Sequence, residues 1–348
     1  MKKHNFPINI LFIQNKNAMA MNKLYPMKFI PLFKEKIWGG TQIKDVLGLD
    51  FGKMKKCGEA WMLSGLEGNE SVVCNGFLEG NTLSELLEVY MGDLVGEKIY
   101  ERYGNEFPLL FKWLDAQDDL SVQVHPNDEL ALREYGCLGK SELWFIEKAD
   151  KEARLLCGFH KTPKQNDYIE KMGTAAVCED LASFTPKVSD AFYIPSGTVH
   201  ALCSGILLAE IQQSSDITYR MYDWDRTDAK GEKRDLHLSE AINAINYQQK
   251  ESCKINYNQY PNTSNSLLQD PNFRINYLNL DQGLEKDFSE IDSFVVYLCT
   301  EGNGVIKMDQ FAVELRKGEI LFIPAICEKI ALFPDTKGLQ VLETYIEF

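Results

Sequence analysis

No stretch of this 348-residue chain approaches the ~18 consecutive apolar residues that cross a bilayer, and no Cys-x-x-Cys pair occurs in it. Nine scattered cysteines, odd in number and without regular spacing, predict reduced core thiols rather than a disulfide framework, and a cytoplasmic setting. Bases are scarce beside acids, 37 against 51, leaving a net charge of −14. That balance repels polyanions and excludes nucleic acid or an anionic membrane as the main partner. An anionic substrate would need a local basic pocket. Histidine is rarer still, with only His4, His125, His160, His200 and His237.

What is present suits a well-packed soluble protein, because 45% hydrophobic residues over this length support two domains or one large one. Lys2-Lys3, the apolar run Phe6–Ile13 and Ala18-Met-Ala20 suggest a secretory start, but Pro7 and Asn9 break the run. Residues 1–27 are therefore expected to be a disordered extension, or to follow an upstream start codon, since Met19, Met21 and Met27 precede Lys28-Phe-Ile-Pro31. From residue 28 to 249 short apolar runs alternate with turns and a few helices. Thr82-x-x-Glu85 is a capping box, followed by Leu83, Leu86, Leu87, Tyr90, Met91 and Leu94 at helical spacing. Ser239 is the expected N-cap of a helix over 236–245. Residues 250–270 have a linker composition, and 271–348 read as short strands of a second β unit.

Gln123 and His125 stand two apart in Leu120-Ser-Val-Gln-Val-His-Pro126, so on a strand both project to one face. Glu142, in Gly139-Lys-Ser-Glu142, and His200, closing Tyr193-Ile-Pro-Ser-Gly-Thr-Val-His200, can reach that space from neighbouring strands. Three strong ligands and a weaker fourth suit a divalent ion that keeps an exchangeable position. Singly, each residue has a plainer reading. His125 alone reads as a hydrogen-bonded core histidine, Arg220 as a surface ion pair with Asp223 or Asp225, and Lys140 as a solvated charge.

Ser189–His200 and Gly318–Lys329 align without a gap, each with a small residue, an acid, an apolar strand and Ile-Pro. The second copy carries Lys329 where the first has His200, and the second unit has no histidine at all. This pattern resembles the cupin jelly roll. Phe107–Ala116, Ser121–Asp128, Gly139–Glu142, Ile194–His200 and Glu210–Arg226 together resemble the type I phosphomannose isomerases in their short bacterial form, over roughly residues 28–348.

The resemblance implies a mainly β fold, with two cupin-like jelly-roll barrels and a few helices inserted in and flanking the first. It implies one Zn²⁺ per chain held by Gln123, His125, Glu142 and His200. Arg220 and Lys140 would be catalytic, with Ser121, Lys140 and Arg220 contacting a hexose phosphate, and the second barrel would lack ligands. The implied reaction interconverts mannose 6-phosphate and fructose 6-phosphate through a cis-enediol, in a monomer or homodimer. Two other classes fit a cupin: an iron-dependent oxygenase, against which Gln123 and Arg220 count, and a non-catalytic sugar-binding protein, against which the complete ligand set counts. Glu210 and Asp216 are candidate supporting acceptors, and Lys36 beside Trp38-Gly-Gly40 a further cation for the phosphate.

Overall fold

The strands Leu109–Ala116 and Ile206–Gln213 are buried at all eight positions each, so neither has a solvated face. They must lie in a sheet covered on both sides. The structure is a computed structural model and describes residues 23–227, 230–248 and 252–348. In chain order its strands are β1 (Leu32–Lys34), β2 (Glu59–Leu63), β3 (Leu109–Ala116), β4 (Val122–Val124), β5 (Glu142–Ala149), β6 (Leu155–Phe159), β7 (Leu181–Phe184), β8 (Ala191–Ile194), β9 (His200–Leu202), β10 (Ile206–Gln213), β11 (Tyr219–Tyr222) and β12 (Lys254–Ile255). They continue as β13 (Ser264–Gln269), β14 (Arg274–Leu280), β15 (Leu284–Asp287), β16 (Val295–Met308), β17 (Phe311–Arg316), β18 (Ile320–Ile323) and β19 (Lys329–Tyr345). The helices are α1 (Gln42–Asp45), α2 (Leu83–Val95), α3 (Glu97–Tyr103), α4 (Asp128–Tyr135), α5 (Gln165–Lys171) and α6 (Leu238–Ala244).

The fold is mainly β, as expected, and its strand pairs are antiparallel. A seven-stranded sheet, β1-β2-β3-β10-β5-β8-β12, faces a five-stranded one, β11-β4-β9-β6-β7, and a third sheet, built from β13 to β19, forms the second unit. Alternation along β3, β5 and β10 separates two jobs. Phe111, Trp113, Leu143, Phe145, Leu207, Ala209 and Ile211 join one core that continues into the second unit through Tyr277, Phe294 and Phe322. Phe107 meets Phe294 at 4.9 Å, and Phe145 stacks on Tyr277 at 5.9 Å between ring centres. The intervening residues Lys112, Glu142, Glu210 and Gln212 face the other way, into the space between the first two sheets.

The internal repeat extends to register. Trp144 lies opposite Glu210, which lies opposite Lys112; in the second unit Tyr297 lies opposite Glu343, which lies opposite Asn276. Trp144 donates to Glu210 at 3.0 Å and Tyr297 to Glu343 at 2.6 Å, so a buried carboxylate with an aromatic donor occurs in both. Ser189 and Gly318 open the matching segments with φ of 66° and 84°, the left-handed turn that favours glycine. Lys329, at the place of His200, is an exposed partner of Asp287.

Thr82 and Glu85 form both bonds of the expected capping box. Met91 leaves the helical pattern with φ 47° and is half exposed, kinking α2. Gly96 then separates α2 from α3, whose first N–H groups donate to the Asp292 carboxylate at 2.8 and 3.0 Å. Four expectations need correction. The extension does not run to residue 27, because Leu24, Tyr25 and Met27 are buried and Met27 pairs with Phe322; residues 1–22 lie outside the described residues. The expected linker over 250–270 contains β12, paired to β8, and β13, paired to β14, so its polar residues sit on sheet edges. Ser239 lies inside the first turn of α6, which His237 precedes. Finally, Cys157 and Cys253 form a disulfide, because Cys253 is carried over β8, where its carbonyl accepts the Tyr193 N–H at 2.8 Å; the other seven cysteines are free. Among the described residues no helix is long and apolar enough to cross a membrane.

Candidate active site

Gln123 on β4 lies directly opposite His200 on β9 and next to Arg220 on β11, so one row across the five-stranded sheet carries three of the expected residues. His125 follows β4 on the same face, and Glu142 opens β5 in the opposing sheet. His125 Nε2 lies 3.6 Å from Glu142 Oε2, and His200 Nε2 lies 3.3 Å from Glu142 Oε1. The ligand atoms of these three residues fall within 4.8 Å of one another, and all three side chains are buried. Gln123 Nε2 stands 3.2 Å from His200 Nε2, while its Oε1 accepts from Ser121 Oγ at 3.3 Å.

Each imidazole is set by its other nitrogen. His125 Nδ1 donates to the Ile217 carbonyl at 2.8 Å and His200 Nδ1 to the Thr198 carbonyl at 2.9 Å. The Nε2 lone pairs therefore face Glu142. Burial holds His200 down to about 4 and His125 well below its ordinary range, so both rings are neutral donors at working pH. Burial pushes the Glu142 carboxyl up to about 8, against the pull of Lys140. His125 Nε2 and both Glu142 oxygens are buried without a hydrogen-bond partner. Unpaired buried acceptors are costly, and two neutral imidazoles with one carboxylate aimed at a common point are the donor set of a divalent cation. The residues fit such an ion.

Gln123 and Lys140, which adjoin this centre, line a cavity of about 270 Å³ whose walls also include Ser121 and Arg220, together with Lys36, Trp38, Glu59, Lys112, Glu210, Asp216 and Arg234. Lys140 is buried, with Nζ 3.4 Å from Glu142 Oε2. Arg220 donates from Nη1 to the Asp235 carbonyl at 2.7 Å, and its backbone N–H donates to His237 Nδ1 at 3.1 Å. Burial, with Arg234 nearby, lowers its pKa, yet a guanidinium stays charged. His160 is exposed, and His237 bonds the β11 backbone, accepting the Arg220 N–H and donating its own N–H to the Arg220 carbonyl at 2.8 Å.

Sequence reasoning missed Lys112 and Arg234. Lys112 is fully enclosed, donating to Glu210 at 3.0 Å and Gln212 at 2.7 Å. Burial lowers its pKa, but Glu210, Glu59 and Asp216 outweigh that and raise it. Burial likewise raises Glu210, and Lys112 and Lys140 reverse it, to about 2. A lone lysine inside Phe107–Leu114, an otherwise apolar strand, was the available signal. Arg234 is clamped by Asp223 through two bonds, at 2.8 and 2.5 Å, and had no comparable signal.

Residues 27–155 match the profile of the phosphomannose isomerase type I catalytic domain. The chain is 37% identical over 308 residues to mannose-6-phosphate isomerase ManA of Bacillus subtilis, covering 86% of this chain and 93% of that protein. It is 34% identical over 305 residues to a mannose-6-phosphate isomerase of Streptococcus mutans, covering 84% and 92%. The crystal structure of the mannose 6-phosphate isomerase from Bacillus subtilis superimposes with a TM-score of 0.82 at 31% identity, over 92% of this chain and 99% of that one. With those identities sustained over nearly the whole of each relative, this chain belongs to the type I phosphomannose isomerase family.

Proposed function

We propose that this protein interconverts mannose 6-phosphate and fructose 6-phosphate, moving a proton between C1 and C2 through a cis-enediol. In this reading Gln123, His125, Glu142 and His200 hold one zinc ion per chain. The observation that carries it is the set of buried donor atoms on His125 and Glu142 that make no hydrogen bond, beside His200, next to a cavity walled with cations. When bound, the ion supplies Lewis acidity to the carbonyl end of the sugar.

The chain's own groups account for the rest. Removing a proton from a carbon acid gathers negative charge on the adjoining oxygen, and fixed cations in a water-poor cavity stabilise it without reorganising. Lys140 and Arg220 are the catalytic pair: both line the cavity, and both are partly or wholly enclosed. The same two residues, with Lys36, meet the dianionic phosphate that the acidic surface would otherwise repel. Ser121, hydrogen-bonded to Gln123, offers a hydroxyl to the substrate. Arg220 cannot take the proton, and Glu210, held near 2, binds one weakly; its part is to fix Lys112.

A coupled assay for fructose 6-phosphate tests the proposal. Mannose 6-phosphate should be turned over, and unphosphorylated mannose should be converted at least ~100-fold less efficiently, since the cations then lack their anion. Equal efficiency on both sugars, or none on either, would refute it.

A further inference from the structure

Lys140 precedes Glu142 by two residues, yet the segment Gly139–Ser141 lies outside any strand, since the β5–β10 ladder stops at the pair Glu142–Gln212. Something else must fix the backbone from which Lys140 reaches the cavity. All three successive N–H groups of this segment have dedicated acceptors. Gly139 N–H donates to Asp128 Oδ1 at 2.8 Å, Lys140 N–H to the Pro126 carbonyl at 3.0 Å, and Ser141 N–H to Gln213 Oε1 at 2.9 Å. The last of these is returned, because Gln213 N–H donates to the Ser141 carbonyl at 3.1 Å. The Gln213 side chain thus extends the ladder by one residue beyond its last strand pair.

Gln213 is itself buried, and its free amide group is not spare. Nε2 donates to Asp128 Oδ1 at 2.8 Å, the same oxygen that accepts from Gly139. Asp128 and Gln213 therefore close a bracket around Lys140, one holding the N–H of the residue before it and the other the N–H of the residue after it. Gly139 admits no side chain there: a Cβ would lie 2.6 Å from the Asn127 carbonyl carbon and from the Asp128 nitrogen. Neither Asp128 nor Gln213 lines the cavity.

We infer that Gln213, oriented by Asp128, is a positioning residue that sets where the Lys140 ammonium stands during turnover. This rests on the reading of Lys140 as a substrate contact. The carboxamide is chosen by the geometry, because it must accept from Ser141 and donate to a carboxylate at once. A glutamate in its place keeps the first bond and sets two carboxylates against each other. At position 128 an amide still presents one oxygen to both Gly139 N–H and Gln213 Nε2, whereas alanine presents none.

The test compares Gln213→Glu, Gln213→Met, Asp128→Asn and Asp128→Ala, each also in a Lys140→Ala background, with kcat, KM, metal content and thermal midpoint measured. Gln213→Glu should lower kcat/KM for mannose 6-phosphate about tenfold or more, with full metal content, because a misplacement near 1 Å is enough to do so. Asp128→Ala should fall in the same direction, while Asp128→Asn, which keeps the shared acceptor oxygen, should retain most of the activity. In the Lys140→Ala background Gln213→Glu should cost less than about twofold, since its route of action is already gone. Loss that tracks metal content or unfolding, equal losses in Asp128→Asn and Asp128→Ala, or full additivity with Lys140→Ala would overturn the inference. If Lys140→Ala alone leaves kcat/KM unchanged, the reading of Lys140 is at fault and the inference falls with it.

Discussion

Gln123 and His200 face each other across the β4–β9 pair, with Gln123 Nε2 3.2 Å from His200 Nε2. A half-turn of the amide would bring Oε1 to the same point, so Gln123 can add a neutral fourth donor to the three charged or aromatic ones. An amide oxygen is the weakest ligand of the set. Gln123→Ala should therefore leave the protein folded and weaken metal binding about 10- to 100-fold, by analogy with loss of a supporting contact. His200→Ala should abolish stoichiometric binding. Metal titration of both variants checks the order, and equal losses would contradict it.

Acid–base behaviour follows from burial. Without an ion, burial pushes the Glu142 carboxyl up from an ordinary 4.5 to about 8, so its contribution to stability is full below 4.5 and lost as pH rises through about 8. That upward shift favours a protonated Glu142 carboxyl at pH 7 in the ion-free protein, while burial favours neutral rings at His125 and His200. Ion binding at pH 7 should release about one proton, and close to none well above pH 8. Affinity should rise with pH up to about 8 and then level. Calorimetry in buffers of different ionisation enthalpy reads the proton directly; no release at pH 7 would show that Glu142 is ionised before the ion arrives.

Lys112 and Glu210 form an ion pair with both partners enclosed, at 3.0 Å. Removing one charge strands the other, so Lys112→Met should cost about 3–5 kcal/mol of stability. Adding Glu210→Gln should recover most of it, because the stranded carboxylate is then gone. Denaturant unfolding of the single and double variants is the check, and a single-variant cost below ~1 kcal/mol would mean that water reaches Glu210.

The Cys157–Cys253 bond predicts a thiol count. Protein denatured without reductant should titrate seven thiols, and nine after reduction. Reduction should lower stability by about 2–4 kcal/mol, since the bond closes a long loop. Nine thiols before reduction would place both cysteines with the other seven.

The metal-ligand candidates were legible because their geometry is local. Two-residue spacing on a strand aims Gln123 and His125 together whatever the rest of the fold does, and the Ile-Pro-Ser-Gly-Thr turn delivers His200 to a strand start. The capping box at Thr82 was legible for the same reason. What sequence could not supply depends on contacts between distant segments. Lys112 looked like an interruption of an apolar strand until β10 placed Glu210 and Gln212 beside it. Cysteine spacing could not reveal that Cys253 is carried over β8, and polar composition over 250–270 disguised two edge strands. The Asp128–Gln213 bracket joins residues 85 apart, and no periodicity reports it.

On the proposed reading, activity needs an ion at His125, Glu142 and His200. Turnover of mannose 6-phosphate should be measured on the protein as purified, after exhaustive chelation, and after stoichiometric Zn²⁺ is returned. Activity should be lost on chelation and should return with about one Zn²⁺ per chain. Undiminished turnover by metal-free, folded protein would contradict it.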